Sequence, residues 1–397
     1  MQARYLEDSI IKDALKARKI AFISGPRQVG KTTLSQSILE KYKSPENYYT
    51  WDDEEFRKVW IKNPKLILEN IPAKIIVLDE IHKNSHWKNK LKGLYDLYHK
   101  KNLFVVTGSA RLDYYRKSGD SLQGRYFPYR LHPFSLCESS GFKPPPQEDW
   151  NEQNSSALFT LDELQNFSGF PEPLWSQKLE YAKRWRRLHR ERMIREDVRD
   201  LEYIREISLL EDLSLLLPSK VGSSLSYESL RGDLHTSADS IKRWINLLGA
   251  TYFCYSLKPY SQNIKNSLRK EPKLYLYDWS LAENAGARFE NLIAGHLLKN
   301  VHSWTDLAYG EFELFYLRDK QKREVDFLIT KDKKPFLLLE VKSGQTAPTS
   351  SLIYFERMLK PKFTIQLVKK KNEEKRKSLE HPHIQVMHYE RFLSALN

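Results

Sequence analysis

Cysteine is nearly absent: Cys137 and Cys254 are the only two in 397 residues. Two isolated cysteines supply neither a disulfide framework nor the ligand cluster of a structural zinc site. Apolar runs are short, and none approaches the ~18 residues that a membrane span requires. The stretch from Met1 to Asp8 has no apolar signal-peptide core. These absences point to a cytoplasmic protein with no membrane partner. Internal repeats are lacking, and the only biased tract is Lys369-Lys370-Lys371, which reads as an exposed turn. Acidic residues are too few to balance the basic ones: 65 Lys and Arg against 51 Asp and Glu leave a net charge of +14. With aromatics at 12%, that surplus favours nucleic acid as a partner, the alternative being a basic enzyme whose charge only aids solubility.

What is present begins with a globular composition, 40% hydrophobic, in a chain too long for one core. Near the N-terminus stands Gly25-Pro26-Arg27-Gln28-Val29-Gly30-Lys31-Thr32, followed by Thr33 and Leu34. This is a complete G-x-x-x-x-G-K-[ST] phosphate loop. Before it, residues 19–24 read as a short buried strand. After it, residues 32–42 read as a helix with Leu34, Ile38 and Leu39 on one face. Backbone N–H groups at the turn can bind phosphate oxygens, Lys31 adds a point charge at the β/γ-phosphates, and the Thr32 hydroxyl suits Mg2+. The chain is therefore expected to bind a nucleoside triphosphate.

From about Lys19 to Glu138 buried strands alternate with amphipathic helices, the pattern of a parallel α/β sheet, with residues 74–78 and 103–106 the clearest strands. Lys143 to Ser156 is polar and proline-containing and reads as a linker or surface excursion. From Gln177 to Ile207 a long charged helix is expected, crowding Arg184, Arg186, Arg187, Arg190, Arg192 and Arg195. It is either a solvated face or a nucleic-acid or nucleotide element. Beyond it the pattern is helix from Tyr227, N-cap candidates His235-Thr236-Ser237, helix from Ala238 to Leu248, a stop at Gly249 and a strand from Thr251. A basic loop (Lys265, Arg269, Lys270, Lys273) and a strand at 274–277 complete a winged-helix order. Lys242 and Arg243 lie on its second helix, where a DNA reader carries contacts; the same module can also serve only for packing.

Hydrolysis needs a metal ligand and a base for water. Ile75-Ile76-Val77-Leu78-Asp79-Glu80 offers both at a strand's carboxyl end, Asp79 for Mg2+ and Glu80 for the attacking water. The next strand ends in Thr107-Gly108-Ser109, where Ser109, or alternatively Thr107, would sense the γ-phosphate. Arg125, in Gln123-Gly124-Arg125, could reach a neighbouring subunit's γ-phosphate as an arginine finger, or make an internal ion pair.

Taken together, residues 25–34, Leu78-Asp79-Glu80-Ile81-His82-Lys83, Thr107-Gly108-Ser109 and Leu122 to Ser135 resemble the AAA-type (AAA_14) ATPases that carry a DUF4143 C-terminal region. Gly169-Phe170-Pro171-Glu172 and Arg195-Glu196-Asp197-Val198 extend the resemblance over nearly the whole chain. It implies an AAA+ core, a winged helix and a C-terminal domain of restriction-endonuclease type, with ATP as the nucleotide.

The last segment also carries chemistry of its own. Asp326 opens a strand after Arg323-Glu324-Val325, and Glu340-Val341-Lys342 closes a later one. On a hairpin, residues i and i+2 share a face, which gathers two carboxylates and an ammonium. Glu290, on a helix opening at Arg288, sits like the helical acid of the PD-(D/E)xK nuclease fold. Glu290, Asp326 and Glu340 would hold a metal, with Lys342 positioning a water. Val325 stands where that pattern has proline. The domain is either an active nuclease or an inactive relative used for DNA docking or assembly.

The expected fold is α/β: a P-loop AAA+ parallel sheet with a charged helical extension (1–205), a winged helix (206–282) and a restriction-endonuclease-like domain (283–397). The expected function is a DNA-acting ATPase, working as a homo-oligomeric ring or hexamer with ATP and Mg2+. It would translocate on or remodel DNA, branched junctions included, by structure rather than sequence. The alternatives are an ATP-controlled metal-dependent nuclease in defence or repair, and a regulatory or assembly ATPase indifferent to DNA.

Overall fold

Five short runs rich in isoleucine, valine and aromatics become the strands of one parallel sheet. They are β1 (Ile20–Ser24), β2 (Tyr48–Thr50), β3 (Ile75–Asp79), β4 (Leu103–Gly108) and β5 (Tyr126–Arg130), in the order β2-β3-β4-β1-β5. The computed structural model describes residues 4–69, 74–109, 122–139, 157–202, 204, 206–261, 271–342, 347–369 and 381–396. They divide into two units. One holds the chain to residue 133 with 188–207 and 250–253; the other holds 134–187, 208–249 and 254 onward. The proline-containing segment after Lys143, the loop residues Lys265, Arg269 and Lys270, and Lys370 and Lys371 lie outside the described residues.

In the first unit β1 and β3 are buried at every position, as continuous apolar strands covered on both faces must be. Helices α1 (Lys31–Lys41), α2 (Glu54–Lys62) and α3 (Trp87–Tyr98) accompany the sheet. Phe56 and Trp60 of α2 and Trp87, Leu91 and Leu94 of α3 join Phe22, Ile76 and Phe104 of the strands in one core. The expected P-loop AAA+ sheet is thus present, with the phosphate loop leaving the carboxyl end of β1 between β4 and β5.

The charged helix α4 (Leu179–Arg192) is shorter than expected. It passes into a π-helical stretch, Met193–Val198, and a last turn, Arg199–Leu201, and Ile207 starts a separate helix. Its arginines are not a uniform solvated row: Arg186 donates to Asn166 O at 2.6 Å.

In the second unit α5 (Ile207–Leu216) precedes α6 (Tyr227–Leu234) and α7 (Ala238–Ala250), and then β6 (Cys254–Pro259) and β7 (Lys273–Leu276) pair antiparallel. This is the winged-helix order. Ser226 caps α6, and Ser237, one of the three N-cap candidates, accepts from Ser240 N at 3.0 Å ahead of α7. Gly249 is not the stop: α7 runs through it, and the left-handed residue is Tyr252, at φ +61°. Lys273 is not an exposed loop residue but the buried first residue of β7.

The remaining elements are α8 (Ala285–Asp306), β8 (Phe312–Arg318), β9 (Glu324–Lys331), β10 (Lys334–Lys342), α9 (Ser350–Leu359), β11 (Phe363–Val368), β12 (Ile384–His388) and α10 (Tyr389–Ala395). β8, β9 and β10 form an antiparallel meander, while β11 and β12 add in parallel. β6 pairs β8 in parallel, so one mixed sheet runs β12-β11-β10-β9-β8-β6-β7. No helix among the described residues is long and apolar enough to cross a membrane.

Candidate active site

The loop between β1 and α1 takes the shape its glycines permit. Gly30 has φ +101° and caps α1, a conformation costly for a residue with a Cβ. A Cβ on Gly25 would lie 2.3 Å from Leu131 O, so only glycine fits there. Gln28 also has positive φ, +60°. Val29 is fully buried, and its carbonyl accepts from Arg4 Nη1 at 2.6 Å, which anchors the loop from the N-terminal segment. Lys31 Nζ donates to Gly25 O at 3.0 Å and Pro26 O at 2.8 Å. Burial lowers its pKa against the pull of Glu80 and Asp79. Thr32 and Thr33 follow in the first turn of α1, and Thr32 Oγ1 lies 3.4 Å from Asp79 Oδ2.

Sheet order explains the convergence on Asp79. β3 lies between β2 and β4, and Asp79 is in register with Thr50 and Thr107. Thr107 Oγ1 donates to Asp79 Oδ1, and Tyr48 OH donates to Oδ2. Burial and the Asp79 charge raise the Tyr48 pKa, so it stays a protonated donor. Glu80 adopts the left-handed conformation, φ +56°, beyond the strand. Its Oε2 accepts from Ser109 Oγ at 3.3 Å and lies 3.4 Å from His82 Nε2. Both sensor candidates are therefore spoken for by the acids, Thr107 by Asp79 and Ser109 by Glu80.

Tyr48 and Asp197, which motif reading did not single out for the site, complete it. Arg27 Nη1 lies 2.6 Å from Glu196 Oε2 and 2.9 Å from Asp197 Oδ1, both on the π-helical stretch. Irregular turns of this kind recur at functional positions. Burial works against the Arg27 charge, but the two carboxylates more than offset it and raise its pKa. Asp197 is 4% exposed, and burial pushes its carboxyl up to about 7 despite Arg27. Its Oδ2 has no hydrogen-bond partner among the described residues, and it feels the charges of Glu80 and Lys31. Only the Arg195-to-Val198 resemblance hinted at this segment. Tyr48 had no sequence signal at all.

Arg125 is held by Asp96 of α3, with Nε to Oδ1 at 2.7 Å and Nη2 to Oδ2 at 3.1 Å, at an exposed position. That is the ion pair foreseen as the alternative to a finger.

The loop fits a nucleotide phosphate chain, and Thr32 with Asp79 fits Mg2+. A magnesium ion of this kind takes one or two protein oxygens and completes its shell with phosphate and water. No group of three His, Cys, Asp or Glu that could hold a metal ion occurs among the described residues, so an all-protein cage is not the arrangement here.

The same observation bears on the expected second metal site. Glu290, Asp326, Glu340 and Lys342 do gather on α8, β9 and β10, but the three acids are not disposed as a metal-ligand set. Glu290 Oε1 accepts from Tyr275 OH at 2.6 Å and lies 3.5 Å from Lys273 Nζ. Glu340 Oε1 pairs with Lys342 Nζ at 3.0 Å, and its Oε2 accepts from Thr349 Oγ1. Asp326 Oδ2 accepts from Val341 N at 2.8 Å. Burial, then the Glu290 charge, push the Asp326 pKa up. Each acid already has a hydrogen-bond donor or cation from the protein.

Comparison with known proteins follows this division. Residues 17–140 match the family model of an AAA domain, AAA_14, and residues 285–391 match a domain of unknown function, DUF4143. Between them, residues 158–291 match a further domain of unknown function, DUF8612. An uncharacterized protein of Mycobacterium tuberculosis is 24% identical over 334 residues, covering 82% of this chain and 71% of that protein. One from Haemophilus influenzae is 23% identical over 347 residues, covering 79% and 80%. Among solved structures, AMPPCP-bound DnaA from Aquifex aeolicus aligns with 62% of this chain and 86% of its own at 14% identity, with a TM-score of 0.33, too low to carry an argument. The AAA_14 match contains the phosphate loop, Asp79, Glu80, Ser109 and Arg125. The DUF4143 match contains Glu290, Asp326, Glu340 and Lys342.

Proposed function

We propose that this protein hydrolyses ATP and couples hydrolysis to work on DNA. One observation carries the ATPase reading: Asp79 and Glu80 at the end of β3 stand beside Thr32 and Lys31 of the phosphate loop, with Thr107 and Ser109 bonded to them. Lys31 would exchange its loop carbonyls for β/γ-phosphate oxygens. Mg2+, held by Thr32 and Asp79, would supply charge neutralisation. Glu80 would take the proton from the attacking water as the β–γ anhydride bond breaks and ADP leaves. Ser109 would hold Glu80 in place, and Arg125 would leave Asp96 to meet a neighbour's γ-phosphate in a ring, a hexamer being the expected form.

The DNA reading rests on the net charge of +14 and on α7, which exposes Lys242 and Arg243 in the second helix of the winged-helix order. Phosphate contacts of this kind favour recognition of DNA structure, with branched junctions a natural substrate. The test is ATP hydrolysis with and without single-stranded, duplex and four-way-junction DNA, Glu80→Gln serving as control. Stimulation by one of these identifies the track. Equal rates with all and with none leave an ATPase that does not act on DNA and overturn the DNA half of the proposal.

A further inference from the structure

Within the second unit, three carboxyl groups act on one buried ammonium, and a fourth adjoins them. Lys273 Nζ lies 2.6 Å from Glu324 Oε1 and 3.5 Å from Glu290 Oε1, and the residue is 5% exposed. Asp326 shares a face of β9 with Glu324, two residues away, and adds its charge to the field at Lys273. Glu340 completes the group from β10. On β7, Lys273 and Tyr275 share a face by the same two-residue period, and together they hold Glu290 of α8. The strand of the winged-helix module therefore delivers a cation into an acidic pocket built by α8, β9 and β10.

We infer that the Lys273 ammonium is the resident cation of this pocket and takes the place a divalent metal holds in a PD-(D/E)xK nuclease. The charges support it. Glu290, Glu324, Asp326 and Glu340 face Lys273, Lys342 and Arg318, the last 3.7 Å from Glu324 Oε2. Three cations against four acids leave one acid in surplus. That surplus shows in Asp326, whose pKa rises through burial and the Glu290 and Glu340 charges. A metal ion would need carboxylate oxygens within ~2.0–2.6 Å of one point. The tethered ammonium of buried Lys273 instead holds Glu324 and Glu290 at 2.6 and 3.5 Å. With its charge largely balanced from within, the pocket does not recruit Mg2+. The inference is independent of the ATPase reading and speaks against metal-dependent nuclease chemistry at this pocket.

The test is Mn2+ binding to the full-length, nucleotide-free protein, read as loss of the free-ion EPR signal. Asp79→Asn in the background silences the phosphate-loop site. The parent should bind no Mn2+ in the second unit. Lys273→Met should bind one Mn2+ where the parent, at concentrations up to about tenfold higher, binds none, and adding Glu340→Gln should abolish this binding. A parent that binds one Mn2+, lost on Asp326→Asn, overturns the inference; so does a folded Lys273→Met that binds none. Should Lys273→Met not fold, the parent decides alone: its melting temperature should be the same in EDTA and in Mn2+. A rise in Mn2+ that Asp326→Asn removes would overturn the proposal. Failure here leaves DNA-stimulated ATP hydrolysis untouched, so the two readings fail separately.

Discussion

The Tyr48 hydroxyl donates to Oδ2 of Asp79, the oxygen that Thr32 Oγ1 approaches to 3.4 Å. An edge strand of three residues thereby orients the acid expected to hold Mg2+. Partners behind a metal ligand set its direction, and losing one costs about 10–100-fold in metal affinity. Tyr48→Phe should raise the Mg2+ concentration for half-maximal ATP hydrolysis by about that factor and leave the maximal rate near the parent's. A Mg2+ titration of turnover measures it.

Glu80 and Lys31 should separate chemistry from binding. A positioned general base contributes about 10²–10⁴ in rate. Glu80→Gln should lose turnover on that scale and keep nucleotide affinity, while Lys31→Ala should lose affinity itself. Fluorescent-nucleotide binding beside steady-state hydrolysis distinguishes the two.

Arg125 and Asp96 form an exposed ion pair, a kind that adds little to stability. Arg125→Ala should leave the melting temperature unchanged and, acting as a finger, lower turnover by about 10³-fold. Turnover equal to the parent's would reduce Arg125 to its surface pair.

His296 is 1% exposed and neutral, with Nε2 accepting from Leu136 N at 3.0 Å and Nδ1 bonded to Leu292 O at 2.8 Å. Burial lowers its pKa from 6.5 to about 4. Between these values the unfolded chain takes up a proton that the native chain refuses, so this contribution is intact above pH 6.5 and lost as pH falls toward 4. Its size is about 3 kcal/mol. Asp197 and Asp326, with raised values, act in the opposite sense. The difference between parent and His296→Gln isolates the histidine: the variant should be less stable at pH 7 and lose less on acidification. Urea unfolding at pH 7 and pH 5 reads it.

How much of this was legible depended on the range of the contacts. The phosphate loop, Asp79-Glu80 and the Asp326…Glu340-x-Lys342 hairpin follow local periods, and local periods are written in sequence. Tyr48 reaches Asp79 only because β2 pairs with β3, and Arg27 meets Asp197 across 170 positions. No window on the sequence contains either pair. Lys273 read as one more cation of a basic loop, because nothing local separates a wing tip from the first residue of β7. Its burial is decided by the register of β7 on β6 and the approach of α8. The Gly249 stop failed for a related reason: a glycine in a well-packed helix is tolerated at a cost of about 1 kcal/mol, and Tyr252 takes the turn instead.

The pairing of β6 with β8 has a consequence for the order in which the chain is made. Synthesis runs from the N-terminus, and domains fold as they emerge. The stretch from α5 to β7 is made before β8 exists, and one edge of β6 then stands open, a template for the next strand. When β8 follows α8 it meets a prepared edge rather than searching for a partner, and β9 and β10 add by short hairpins. A DUF4143 fragment begun at residue 285 would lack that edge and leave β8 exposed, whereas one begun at 206 carries its own mould.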